Sequence, residues 1–269
     1  MTATTPDTPS PQTPAGQASA VQTPGAAQLE MVHRLPKAEA VARIPHLTSL
    51  ATGKRVIHVG FVDAGYQEMN TQAGTWLHAH LAGTAASLVG IDLDEPGVAL
   101  ATEHGYEAYV ADCRDPEVVA ALGLEPADLV IAGEVIEHLD DPGAFLQGLH
   151  PLVRPTGRLV ITTPNASGLL NSAAALVGAE INHPDHVVLF SWRTLTNLMS
   201  RHGWLHTETA TYVPEVKEAP AESLGMRLQS WGGKLALWLE RTGSRFGAPF
   251  VADGLIVSAR PAPNRTPEG

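Results

Sequence analysis

The chain has 269 residues with 17 basic and 28 acidic side chains and 12 histidines, a net charge of −11 with histidine neutral. A negative surface repels phosphate at long range, which disfavours bulk binding of nucleic acid or anionic membrane. The apolar fraction of 44% supplies one sizeable core, and the length suits one large α/β domain better than two small ones.

Residues 2 to 28 are almost all Thr, Pro, Ala, Ser, Gln and Gly, with Asp7 the only charge, and residues 261 to 269 have the same character. Such segments bury too little apolar surface to offset their ordering entropy, so both are expected to be disordered tails around a domain at 29 to 260. The single cysteine, Cys113, leaves no intramolecular disulfide and no thiolate cluster. The N-terminus shows neither a basic nor an apolar leader region, and no uninterrupted apolar stretch reaches spanning length. The cytoplasm is the expected compartment, and no membrane partner is expected.

From Lys54 onward short apolar runs alternate with helix-like segments. Strands are expected at Val56 to Val59, Leu88 to Ile91, Leu129 to Ala132 and Leu159 to Thr162. Helices are expected at Ala73 to Leu81, Pro96 to His104, Pro116 to Leu122 and Pro142 to Leu149, three of them with proline in the first turn. The repeated strand-helix unit predicts an open, doubly wound α/β fold with a mostly parallel sheet. Pro164 to Ser191 has no clear period. A helix follows at Trp192 to His202, then a strand at Trp204 to Tyr212. A Leu/Trp stripe predicts a helix at about Ala221 to Arg241, and a strand at Gly254 to Ala259 closes the chain.

Ligands of open α/β sheets bind beyond the carboxyl ends of the strands, so the strand tips carry the functional reading. After the first strand stands Val59-Gly60-Phe61-Val62-Asp63-Ala64-Gly65. Val62 occupies the second glycine position of G-x-G-x-x-G, which argues against a nicotinamide or flavin dinucleotide. The second tip, Asp92-Leu93-Asp94, offers a carboxylate for the two hydroxyls of a ribose, with Asp94 capping the next helix. At the third tip, Asp112 and the Cys113 backbone suit an adenine edge, and Asp115 precedes a helix-starting proline.

The fourth tip begins "VIAGEVIEHLDDPGAFL", followed by "LHPLVRPTGRLVITTPN" and "NHPDHVVLFSWRTLTNLMSRHGW". These runs resemble the class I S-adenosylmethionine-dependent methyltransferases, in particular their ubiquinone/menaquinone-type small-molecule branch, over about residues 35 to 212. The resemblance implies a seven-stranded sheet with an antiparallel last strand, cofactor over the first half and acceptor over the second, in segments 164 to 191 and 214 to 250. It implies a cofactor site of Gly60, Phe61, Val62, Asp92, Leu93, Asp112, Cys113, Gly133 and Glu134. The first-strand loop departs from the family, whose pattern is an acid followed by G-x-G-x-G. Here the sequence has His58, Gly60 and Val62, and the bulkier side chains should hold the loop off the cofactor unless it takes another path. His58 itself reads as a core residue of a buried strand.

Glu134, Glu137 and His138 are spaced to share one side of a helical turn. By similarity to the Hen-type small-RNA 2′-O-methyltransferases, Glu134, Glu137, His138 and His186 would hold a divalent metal. Metal-free relatives share the same run, and there His138 and His186 are the candidates for a catalytic base or orienter on the acceptor side. The reading that results is an S-adenosylmethionine-dependent methyltransferase acting on a small-molecule acceptor at oxygen, with no nucleic acid expected. The alternatives are metal-assisted ribose methylation of RNA and a non-catalytic fold that has lost its cofactor.

Overall fold

The structure, a computed structural model, describes residues 32–63, 74–176, 178–213, 238–239, 241–244 and 246–263. The chain divides into two units, Met1–Pro36 and Lys37–Gly269, and every element below belongs to the second. In chain order these are β1 (Glu39–Ala40), α1 (Arg43–Ala51), β2 (Arg55–Val59), α2 (Leu77–Ala82), β3 (Ser87–Asp92), α3 (Glu95–Glu103), β4 (Glu107–Val110), α4 (Pro116–Ala121) and β5 (Ala127–Gly133). They continue with α5 (Pro142–Gly148), β6 (Val153–Pro164), α6 (Leu169–Leu176), α7 (Trp192–Arg201), β7 (Trp204–Tyr212) and β8 (Gly254–Pro261).

The eight strands form one sheet in the order β1-β7-β8-β6-β5-β2-β3-β4. Only β8 runs against its neighbours, β6 and β7; the other pairs are parallel. From β2 the chain winds outward to β3 and β4, then returns to β5 on the other flank of β2. Strand order therefore reverses between β2 and β5, and loops leaving their carboxyl ends diverge into a crevice.

Both sheet faces are covered, which explains the continuous apolar runs. In β5, Leu129 and Ile131 join a core with Leu47, Val56, Leu77, Leu81 and Val160. Val130 and Ala132 point the other way, into a core with Ile57, Phe145, Leu146, Leu149 and Trp204. Trp204 is fully buried and donates its indole N–H to the Leu146 carbonyl at 2.9 Å.

Helix starts follow their local chemistry. Pro96, Pro116 and Pro142 all lie in the first turn. Asp115 accepts from the N–H groups of Glu117 and Val118, and Ser191 and Thr194 form a reciprocal capping box on α7. Asp94 occupies its N-cap position without a side-chain cap. Its own N–H donates instead to Asp92 Oδ1 at 3.1 Å.

Several expectations are corrected. The sheet has an eighth strand, β1, which pairs with β7 and leads into α1, an element the sequence did not reveal. The aperiodic stretch after Pro164 contains α6. The helix expected from Ala73 begins at Leu77, residue 73 lying outside the described residues. β8 runs through Pro261, and the Ala262 N–H donates to the Gly203 carbonyl, so the chain is still tied to the sheet there. The N-terminal tail and most of the expected helix at 221–241 lie outside the described residues. No described helix is long and apolar enough to cross a membrane.

Candidate active site

Gly60 follows β2 with φ +67° and donates its N–H to the Ile91 carbonyl at 2.8 Å. That left-handed conformation is nearly free only for glycine, and the Val135 side chain fills the space a Cβ would need. Phe61 and Val62, the bulky residues expected to hold the loop off the cofactor, both turn away from the strand ends. Phe61 is 1% exposed and lies among His78, Trp76 and His58, with ring centroids 4.5, 6.4 and 6.5 Å from its own. Its carbonyl accepts from the Trp76 indole at 2.9 Å. The Val62 side chain packs against α3 while its N–H donates to Asp92 Oδ2 at 2.9 Å.

Asp92 ends β3 partly buried, each carboxylate oxygen accepting one backbone N–H, from Val62 and from Asp94. Burial raises its carboxyl above the ordinary range, and these amide donors oppose that shift. Each oxygen keeps a lone pair for a further donor, so Asp92 suits a ribose diol. The group implied by the sequence fits this half of the sheet through the carboxylate at the second tip, beside a loop whose two bulky side chains fold back into the protein.

At the third tip Asp112 is committed. Both its oxygens accept from the Arg114 guanidinium, at 2.7 to 3.1 Å, and that partner holds its carboxyl below the ordinary range. Cys113 is buried, and burial, with Asp112 and Asp92 nearby, pushes its thiol up to about 12. A buried thiol raised in this way is a poor nucleophile. Leu93, by contrast, is exposed.

The fourth tip gathers a polar knot. Glu134, just past β5, has φ +57°, the one left-handed non-glycine among the described residues. Its Oε1 accepts from the Thr162 hydroxyl of β6 at 2.8 Å and from the Tyr212 hydroxyl of β7 at 2.6 Å. Arg43, the first residue of α1, donates through Nε and Nη2 to Thr162 Oγ1 at 3.2 and 3.0 Å, its guanidinium 5.8 Å from the Tyr212 ring centroid. Gly133 leaves room for that guanidinium, since a Cβ there would lie 2.7 Å from Nη2. Burial opposes the Arg43 charge, but Glu134, Tyr212 and the nearby acids raise its pKa. Burial likewise drives the Tyr212 phenol well above its usual range. Four elements thus fix one strained carboxylate, a pattern associated with functional sites.

Glu134, Glu137 and His138 do not share a side. The turn after Glu134 is a short 3-10 helix, Ile136–His138, so the α-helical spacing does not apply. Glu137 points inward, fully buried, accepting from the Thr163 hydroxyl at 3.0 Å while its Oε1 has no partner. Burial, then the Glu134 carboxylate, pushes it up to about 8. His138 is exposed and meets His183 and His186, with ligand atoms of the three within 4.8 Å of one another. His138 Nδ1 lies 3.2 Å from the Asp185 carbonyl, and His186 Nδ1 lies 2.7 Å from Asn182 Oδ1. Burial, then His138 and His183, lower the His186 pKa.

Arg43, Thr162, Tyr212 and His78 escaped the sequence reading, and His183, which stands beside His186 in the same run, was not among the expected ligands. Tyr212 ends β7 and Thr162 stands two residues before the end of β6, so the strand-tip rule applied to β7 would have found the first and to the last residues of β6 the second. Arg43 sends no such signal, because its helix precedes the alternating pattern.

Residues 66–208, just over half of the chain, match the family model of the methyltransferase domain. The ubiquinone biosynthesis O-methyltransferase of Rhodopseudomonas palustris strain TIE-1 is 40% identical over 96 residues, 35% of this chain and 38% of that protein. That of Parvibaculum lavamentivorans is 36% identical over 110 residues, 40% of this chain and 43% of that protein. The matched stretch therefore spans less than half the length of either relative. A SAM-dependent methyltransferase from Archaeoglobus fulgidus shares the fold with TM-score 0.50 and 14% identity, over 81% of this chain and 91% of that one. With a sheet of this order beside a family model that matches more than half of its length, the chain belongs to the methyltransferase domain family.

Proposed function

We propose that the protein is an S-adenosylmethionine-dependent enzyme of the cytoplasm that methylates an oxygen of a small-molecule acceptor. The observation that carries the reading is the knot of Arg43, Thr162, Glu134 and Tyr212 at the carboxyl ends of β5, β6 and β7. It is a partly buried, mutually hydrogen-bonded set of donors and acceptors on the half of the sheet read as the acceptor side. The net charge of −11 disfavours RNA for the same reason it disfavours any polyanion. The likeness to ubiquinone biosynthesis O-methyltransferases over part of the chain supports transfer to oxygen.

When bound, S-adenosylmethionine supplies the electrophilic methyl group. Gly60, Phe61 and Val62 offer loop backbone to it, Asp92 and Leu93 hold its ribose, and the Cys113 backbone, beside Asp112, borders its adenine. Gly133 and Glu134 flank its reactive end. Orientation of acceptor against cofactor can contribute ~7–11 kcal/mol, so fixed groups matter more than acid-base chemistry. His138 and His186 serve as orienters or proton acceptors for the acceptor hydroxyl. Incubation with S-adenosylmethionine labelled in its methyl group, together with separated small-molecule and RNA fractions of a cell extract, tests this. Label is expected in small molecules as a base-stable ether; label confined to RNA overturns the reading.

A second reading has one observation in its favour, the approach of His138, His183 and His186. With Nδ1 of His138 and His186 facing oxygen acceptors, their Nε2 atoms are free for a borderline cation such as zinc. This donor set differs from the implied one, since Glu134 and Glu137 are hydrogen-bonded to Thr162, Tyr212 and Thr163. Metal analysis of protein purified without chelator should show a stoichiometric divalent ion that His186→Ala loses. Negligible metal in both retires the site.

A further inference from the structure

We infer that Gly90 and Gly97 are positioning residues for the cofactor loop: they accommodate the side chains of Phe61 and Val62, and so do from across the contact what glycines within the loop would do. The inference rests on the cofactor reading above. Two side chains stand where the loop would be expected to carry small residues, yet both fold back into the protein. The Phe61 ring lies on β3 at Gly90, where a Cβ would sit 2.7 Å from Cδ1 and Cε1. The Val62 side chain lies on α3 at Gly97, where a Cβ would overlap Cγ1.

Neither glycine is explained by its own element. Gly97 stands in the first turn of α3 without a left-handed φ, so its backbone does not call for glycine, and alanine is the better helix former. Gly90 is buried in β3, where glycine weakens a strand and marks the close approach of another group. In both cases the approaching group is the loop. The same Val62 that packs on Gly97 gives its N–H to Asp92, so displacing its side chain also displaces a donor that orients the carboxylate at the second tip.

Calorimetry with S-adenosylhomocysteine, paired with thermal unfolding, tests the assignment. Gly97→Ala should weaken binding about tenfold or more while the unfolding temperature stays level or rises, as the helix propensity of alanine favours. Val62→Ala/Gly97→Ala should bind within about threefold of Val62→Ala alone, because the Val62 atoms that overlap the Cβ are gone and the half-buried Asp94 carboxylate, 2.9 Å from it, can swing aside. Gly90→Ala, compared with Phe61→Leu/Gly90→Ala, repeats the cycle at the other contact. Unchanged binding in Gly97→Ala overturns the inference, as does a loss that Val62→Ala leaves in place. A Gly97→Ala protein that does not fold is judged by the same pair: recovery of folding and binding together supports the contact, and continued failure overturns it. Wild-type protein that does not bind S-adenosylhomocysteine refutes the cofactor reading itself, a result distinct from any of these.

Discussion

Asp92→Ala is expected to raise the dissociation constant for S-adenosylhomocysteine by about 10- to 100-fold. A hydrogen bond to a charged group is worth ~1.5–3 kcal/mol, and Asp92 is placed to make such bonds to a ribose. The substitution removes a second support as well, since the Val62 and Asp94 N–H groups both end on this carboxylate. Asp92→Asn keeps one acceptor oxygen and should fall between wild type and alanine. Isothermal calorimetry at fixed salt measures all three, and equal affinity in wild type and Asp92→Ala would sink the ribose assignment.

The second large effect is on stability in acid. His58 and His78 lie with their Nδ1 atoms 3.2 Å apart, rings 5.4 Å apart and nearly parallel, at 3% and 0% exposure. One Nδ1–H donates to the other ring, and His78 Nε2 is buried without a partner. Burial lowers His78 to about 4 from 6.5, and burial, His78 and Arg43 lower His58 well below its ordinary value. Between about 6.5 and 4 the unfolded chain therefore binds more protons than the folded one, and stability falls as pH falls through that window. For His78 alone the loss between pH 6.5 and 4.5 is about 2–3 kcal/mol. Glu137, raised to about 8, acts in the opposite sense: its contribution is full at low pH and is lost as pH rises from 4.5 to 8. The wild-type profile alone therefore conceals the histidine effect, and the comparison that reveals it is with His78→Phe, which leaves Glu137 in place. Urea unfolding should find the variant gaining about 2–3 kcal/mol on wild type between pH 6.5 and 4.5. A constant difference across that range would show that the pair does not carry the effect.

The parallel core was legible because a strand covered on both faces carries a continuous apolar run, and β2, β3, β5 and β6 each contain one, as at residues 129–132 and 159–161. Two of their tips were legible as well, since Asp92 and Glu134 stand where such a run ends. What could not be read lies in contacts between distant segments. Nothing local in α1 tells that Arg43 will meet Thr162, 119 residues away. The loop after β2 looked obstructed because its side chains were judged along the chain, whereas their room is supplied by Gly90 and Gly97. The carboxylate-histidine run departs from helical spacing through its backbone: a 3-10 turn and a left-handed Glu134 send Glu137 inward and His138 outward.

The carbonyl of Glu137 accepts from the N–H groups of both Val187 and Val188, at 2.8 and 3.1 Å. In mechanical terms, the segment bearing His183 and His186 and the turn that begins at Glu134 share one pivot. A displacement of that outer segment is therefore passed to the turn that begins at Glu134, a left-handed residue whose carboxylate is tied to two further strands through Thr162 and Tyr212.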